Sequence, residues 1–164
     1  MRKKKQLQQQ NRVSRLSFCS PQVERIFSLV KDETIDELIS FISKEENQIW
    51  NFKKSENITL LHNACILDKT KVVKAIIEQT KKRLHLLPED SLDEEEKSKN
   101  LQIFKDFINA KTEGDNLTAL HYASFRGNIE IIRLLIENYA EINLLSTHGL
   151  SMLHKAAQGN KPSA

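Results

Sequence analysis

The sequence predicts an all-α solenoid, with stacked pairs of short helices joined by β-turn fingers and one helical insertion. Three observations carry this. One phrase recurs as Thr59-Leu60-Leu61-His62-Asn63-Ala64, Thr118-Ala119-Leu120-His121-Tyr122-Ala123 and Ser151-Met152-Leu153-His154-Lys155-Ala156. His121 and His154 lie 33 residues apart, a repeat period, whereas His62 and His121 lie 59 apart, one period plus 26. The composition is 29% charged and 6% aromatic over 164 residues, which suits thin stacked layers better than a large globular interior.

Residues 1–20 read as a disordered basic arm. Arg2, Lys3, Lys4, Lys5, Arg12 and Arg15 stand there without an acid, giving +6. The chain total is +3, so residues 21–164 carry −3 and the folded part is not a basic nucleic-acid binder. From Pro21 the pattern becomes helical. Val23, Ile26, Phe27 and Val30 make one amphipathic face, and Ile35, Leu38, Ile39 and Ile42 make a second. Thr34, ahead of Asp36 and Glu37, reads as the cap of that second helix. This pair, residues 21–50, lacks the repeated phrase and is expected to be a degenerate repeat closing one end of the stack.

Residues 51–108 are a repeat with an insertion at about 80–108. Asn51 to Thr59 forms a finger, and Asn57, Asn116 and Gly149 each stand two places before the Thr or Ser of a phrase. A turn there wants a residue that tolerates positive φ. Each Thr59, Thr118 or Ser151 hydroxyl is then placed to cap an inner helix. Val72, Val73, Ile76 and Ile77 begin the outer helix, and Thr80, Leu84 and Leu87 keep its spacing as far as Pro88. Ser91 and Glu94 have capping-box spacing, and Leu101, Phe104, Phe107 and Ile108 continue a returning helix. The rival reading is an acidic loop over 88–99.

Residues 109–142 are the best repeat. Its finger, from Asn109, is one residue longer than the others, and its inner helix ends at Gly127. The outer helix from Ile129 is expected to bury Ile131, Ile132, Leu135 and Ile136. Residues 143–164 hold an inner helix through Gly159 and then Pro162, with no outer helix behind it. This reads as a truncated repeat with an uncapped apolar face, marginal in stability and prone to self-association.

Chemistry is sparse. No apolar run approaches the roughly 18–20 residues that span a bilayer, and Met1 to Lys5 has no apolar stretch behind it. Cys19 and Cys65 form no Cys-x-x-Cys pair and suit a reduced cytosolic setting. His62, His121 and His154 share one repeat position, so each is read as a structural bridge to a neighbouring turn, not a metal ligand; metal ligands must converge on one point. His85 and His148 are read as lone and exposed. Gly127, Gly149 and Gly159 fall at repeat turns, and there is no phosphate loop or nucleophile elbow. The run Asp93 to Glu96 reads as a solvated helix start. Neither a catalytic centre, a cofactor site nor a small-molecule substrate is expected.

The offered chemistry is a surface. Inner-helix positions on the concave side hold Tyr122, Phe125 and Arg126, residue types that dominate interface energetics. Asn63, Leu67 and Asp68 are their counterparts in the first repeat, and Lys155 and Gln158 in the third. Packing under a neighbouring finger is the rival role for Phe125. The basic arm has three readings: inert disorder, contact of residues 2–15 with an anionic membrane surface, and an import or nucleic-acid patch. The last is disfavoured because no aromatics interleave with the charges.

Over about residues 23–159 the chain resembles the ankyrin-repeat family and its Thr-Pro-Leu-His-x-Ala signature, strongly at Thr118 to Asn143 and, with Leu60 in place of Pro, at Thr59 to Ile77. Thr59, His62, Ala64, Thr118, His121, Ala123, Gly127, Gly149, His154 and Gly159 are its signature positions here. More narrowly, Leu120 to Gly127 and Gly149 to Pro162 resemble the N-terminal ankyrin region of ciliate-type membrane palmitoyltransferases. That resemblance implies further repeats, transmembrane helices and a zinc-binding Asp-His-His-Cys domain beyond this sequence. It also implies a substrate-recruiting role on the cytosolic face. No acyltransferase residue is present to carry over. The expectations are a cytoplasmic protein-interaction module, alternatively the recruiting region of such an acyltransferase, or a lipid-surface adaptor.

Overall fold

A computed structural model describes residues 21–44, 53–88, 90–91 and 93–159. The basic arm, with its lipid-contact reading, lies outside the described residues, as do Cys19, Asn51 and Pro162. Among the described residues eight α-helices follow in order: α1 (Pro21–Asp32), α2 (Ile35–Ile42), α3 (Leu60–Ile66), α4 (Thr70–Arg83), α5 (Glu94–Ile108), α6 (Ala119–Arg126), α7 (Ile129–Glu137) and α8 (Met152–Gly159). Among the described residues there is no β-strand, only an isolated antiparallel bridge between Lys53 and Thr59.

The helices stack in pairs around one continuous apolar seam. Val23, Ile26, Phe27 and Val30 of α1 are shielded from solvent, with Leu38 and Ile42 of α2 beneath them. Glu33, at φ 57°, turns the chain between these helices. Thr34 does not cap α2. Its hydroxyl turns back 3.5 Å to the Leu29 carbonyl, satisfying the orphan end of α1 instead.

In both complete pairs the inner-to-outer turn needs one left-handed residue. Gly127 supplies it at φ 74°, and Asp68 takes the equivalent place in the first repeat at φ 59°. The closing bonds also correspond, Lys69 N–H to the Ala64 carbonyl at 2.9 Å and Asn128 N–H to the Ala123 carbonyl at 3.3 Å. Gly159 does not occupy this position. Counted from the shared histidine it stands one residue earlier, opposite Arg126, and is the last residue of α8.

The insertion is helical. α4 runs for 14 residues against nine in α7, but stops at Arg83 rather than reaching Pro88. Leu84 closes it and His85 leaves at φ 49°, outside the helical region. α5 returns alongside: Asn100 Nδ2 donates to the Leu84 carbonyl at 3.0 Å, and Lys81 Nζ lies 5.7 Å over the buried Phe104 ring. The cap of α5 is Asp93, not Ser91, with Asp93 Oδ1 accepting the Glu96 N–H at 2.7 Å. The far end of α5 fastens the next repeat. Asn109 Nδ2 donates to the Tyr139 carbonyl at 2.9 Å, its Oδ1 accepts the Glu141 N–H at 2.8 Å, and Phe104 meets the Tyr139 ring edge-on.

α7 departs from its expected face. Ile131 and Leu135 are buried, Ile132 is half-buried, and Ile136 is 44% exposed. Their counterparts in α4, Val73 and Ile77, are covered. Ile129 and Leu153 are each 71% exposed, and no described helix follows α8.

Candidate protein-interaction groove

Three fingers and three inner helices build one side of the stack. Asn57, Asn116 and Gly149 adopt φ of 56°, 54° and 69°, so the conformation that Asn and Gly tolerate best is used three times. Each finger is closed by a backbone bond: Lys54 to Ile58, Thr112 to Leu117, and Ser146 to Leu150. The second spans one residue more, as the sequence predicts. Fingers also join edge to edge, with Glu113 N–H donating to the Glu56 carbonyl at 2.7 Å and Thr147 N–H to the Asp115 carbonyl at 2.9 Å.

The repeated histidine is where each inner helix begins. His62 Nδ1 accepts the Thr59 N–H at 3.2 Å while Thr59 Oγ1 accepts the His62 N–H at 3.3 Å, so histidine completes a reciprocal capping box. Nδ1 being an acceptor, Nε2 carries the proton, and it donates to the Leu117 carbonyl of the next finger at 3.2 Å. His121 repeats both bonds, to Thr118 N–H and to the Leu150 carbonyl, each at 3.2 Å. His154 keeps the Ser151 bond at 3.2 Å but is exposed. Burial pushes His62 down from 6.5 to about 4, partly offset by the Leu117 carbonyl, and lowers His121 in the same sense.

Held by this ladder, α3, α6 and α8 enclose a cleft of about 290 Å³ lined by Ile66, Leu117, His121, Tyr122, Phe125, Arg126 and Lys155. Tyr122 packs its ring edge-on to His62 at 5.9 Å, and burial raises its phenol. Phe125 is 45% exposed at the floor. Arg126 Nε donates to the Ile66 carbonyl at 2.7 Å, answering an orphan carbonyl at the end of α3.

Of the residues singled out for partner contact, Tyr122, Phe125, Arg126 and Lys155 thus come together. Asn63, Asp68 and Gln158 do not line the cleft. Asp68 Oδ1 instead accepts from Asn128 Nδ2 at 2.7 Å. Sequence reasoning missed Asn128, which also caps α7 by accepting the Ile131 N–H at 3.0 Å. An Asn directly after a turn glycine was the available signal. It missed Ile66 as well. His85 and His148, exposed as expected, each face a carboxylate: Asp90 at 3.6 Å and Asp115 at 4.0 Å.

Among the described residues no group of three or more His, Cys, Asp or Glu could hold a metal ion. Cys65 is free and buried, its thiol pushed up by desolvation. No described helix is long and apolar enough to cross a membrane.

The family model described as ankyrin repeats (3 copies) matches residues 95–164. The match to ankyrin repeats covers these residues, somewhat under half of the chain. A chain in the crystal structure of the yeast ribosomal protein Rps3 in complex with its chaperone Yar1 superposes with a TM-score of 0.65. That match covers 84% of this chain and 83% of that one. At 21% identity it establishes shared architecture alone. No curated protein matches the chain.

Proposed function

We propose that this ankyrin-repeat chain is a non-catalytic interaction module that seats a partner protein in the groove between α3, α6 and α8. The observation that carries the reading is the convergence of Tyr122, Phe125, Arg126 and Lys155 on one cleft. The repeated Thr, His and Ala positions of the phrase are occupied in building the stack, whereas these four side chains have surface left to offer. Aromatic and arginine side chains in a concave site are the groups that carry binding energy in protein interfaces.

Affinity capture compared between the native chain and a Tyr122→Ala/Arg126→Ala double variant tests this. Loss of the same partners from the variant, with its helical content unchanged, supports the groove. Identical partner sets overturn it.

The finer palmitoyltransferase-type reading, a recruiting region for acylation substrates at the cytosolic face, is supported by the two stretches at 120–127 and 149–162. Reading the gene past codon 164 tests it. Apolar spans followed by a cysteine-rich segment count for it, and a stop codon counts against it.

A further inference from the structure

The groove lining carries charge of one sign. Its lining includes the cations Arg126 and Lys155 and no carboxylate, and among the described residues neither cation forms an ion pair with a carboxylate, although six other pairs are made across the structure. The Nε bond to Ile66 fixes where the Arg126 guanidinium sits. Lys155 also acts electrostatically on His121. No acid is part of that lining, although Glu56 and Asp115 of the fingers act on the Tyr122 phenol. The apolar part of the lining is Ile66, Leu117 and Phe125.

Size narrows the occupant. About 290 Å³ lies at the bottom of the range of roughly 300–1,000 Å³ for small-molecule pockets, and fits a bulky side chain from a longer segment. A polyanion such as nucleic acid would meet Glu56 and Asp115 at the fingers and present no apolar group to the floor. A basic segment would meet Arg126 and Lys155.

We infer that the partner presents a peptide segment with one bulky apolar side chain flanked by carboxylates. The apolar group seats on Phe125, Tyr122 and Ile66, and a carboxylate meets Arg126 and Lys155. A guanidinium already held through Nε is pre-oriented to receive a carboxylate with less loss of side-chain freedom. The inference rests on the groove being the partner's seat and adds the chemistry of what sits there.

Selection of a random-peptide phage library on the immobilised full chain is the test, followed by fluorescence titration of the enriched peptides. The expected winners carry Glu or Asp beside Phe, Leu, Ile or Trp. Their binding weakens about three- to tenfold on Lys155→Glu and more on Arg126→Glu, and falls between 50 and 300 mM salt, values on the order of those for rim charges. Lys155→Glu is the safer variant because Lys155 makes no hydrogen bond across the stack. Winners that depend on Phe125 but carry neutral or basic flanks overturn this inference and leave the groove standing. Winners indifferent to Tyr122→Ala and Phe125→Ala overturn both.

Discussion

Gly159 lies so close to Phe125 that a Cβ built on it would stand 1.7 Å from the Phe125 carbonyl oxygen. The last described helix is therefore seated by backbone against the floor of the groove, and a side chain at 159 has nowhere to go.

Gly159→Ala should lift α8 off α6, at a cost on the order of 1–3 kcal/mol for forced repacking. Amide hydrogen exchange across α8 would report it as lost protection, and groove binding should weaken with it. Gly127→Ala makes the contrast. Open space surrounds that position, so only its φ of 74° is penalised, by about 1 kcal/mol. Equal effects on α8 protection from the two variants would contradict this account.

Acid should loosen the stack before carboxylates titrate. His62 in the folded chain binds its proton only near pH 4, while the unfolded chain takes it up near 6.5. The unfolded state holds more protons between these values, so stability is full above about pH 6.5 and falls towards pH 4. For His62 the loss is on the order of 3 kcal/mol. His121 contributes in the same direction. Urea midpoints at pH 7.5 and 5 should differ clearly in the native chain and less in His62→Gln measured against its own pH 7.5 value. A flat native profile across that window would refute the ladder as a proton-excluding structure.

Asp93→Ala should cost about 0.5–2 kcal/mol, the usual worth of an N-cap, because it frees the Glu96 N–H. Ser91→Ala should leave the melting temperature within error. The opposite ranking would place the start of α5 where the capping-box spacing puts it.

Ile129 and Leu153, each 71% exposed, should govern self-association. Light scattering of Ile129→Lys/Leu153→Lys should show less concentration-dependent mass than the native chain, with thermal stability within about 0.5 kcal/mol. Association that persists unchanged would move the sticky surface elsewhere.

The period made the stack legible, and the residue two places before each phrase made the fingers legible. Asn57, Asn116 and Gly149 all take the backbone conformation that their side chains favour. Other features were ambiguous for definable reasons. Ser91 and Asp93 are both good caps with a Glu three residues on, so spacing alone offers two starts for α5. Ile136 belongs to an apolar stripe, but a stripe records which face is apolar and not what covers it. Ile66 reaches the groove beside Arg126 only because two repeats stack, and 60 residues of sequence separate them.

The histidine bond to the next finger spans 55 residues from His62 to Leu117 and 29 from His121 to Leu150, yet both measure 3.2 Å. The seam is thus blind to how much chain loops out before it closes. Doubling such a loop costs only about 0.6 kcal/mol in closure entropy. The link after Arg83 is consequently a natural grafting point, where an epitope or a small domain could be spliced in while the groove on the far side of the histidines keeps its shape.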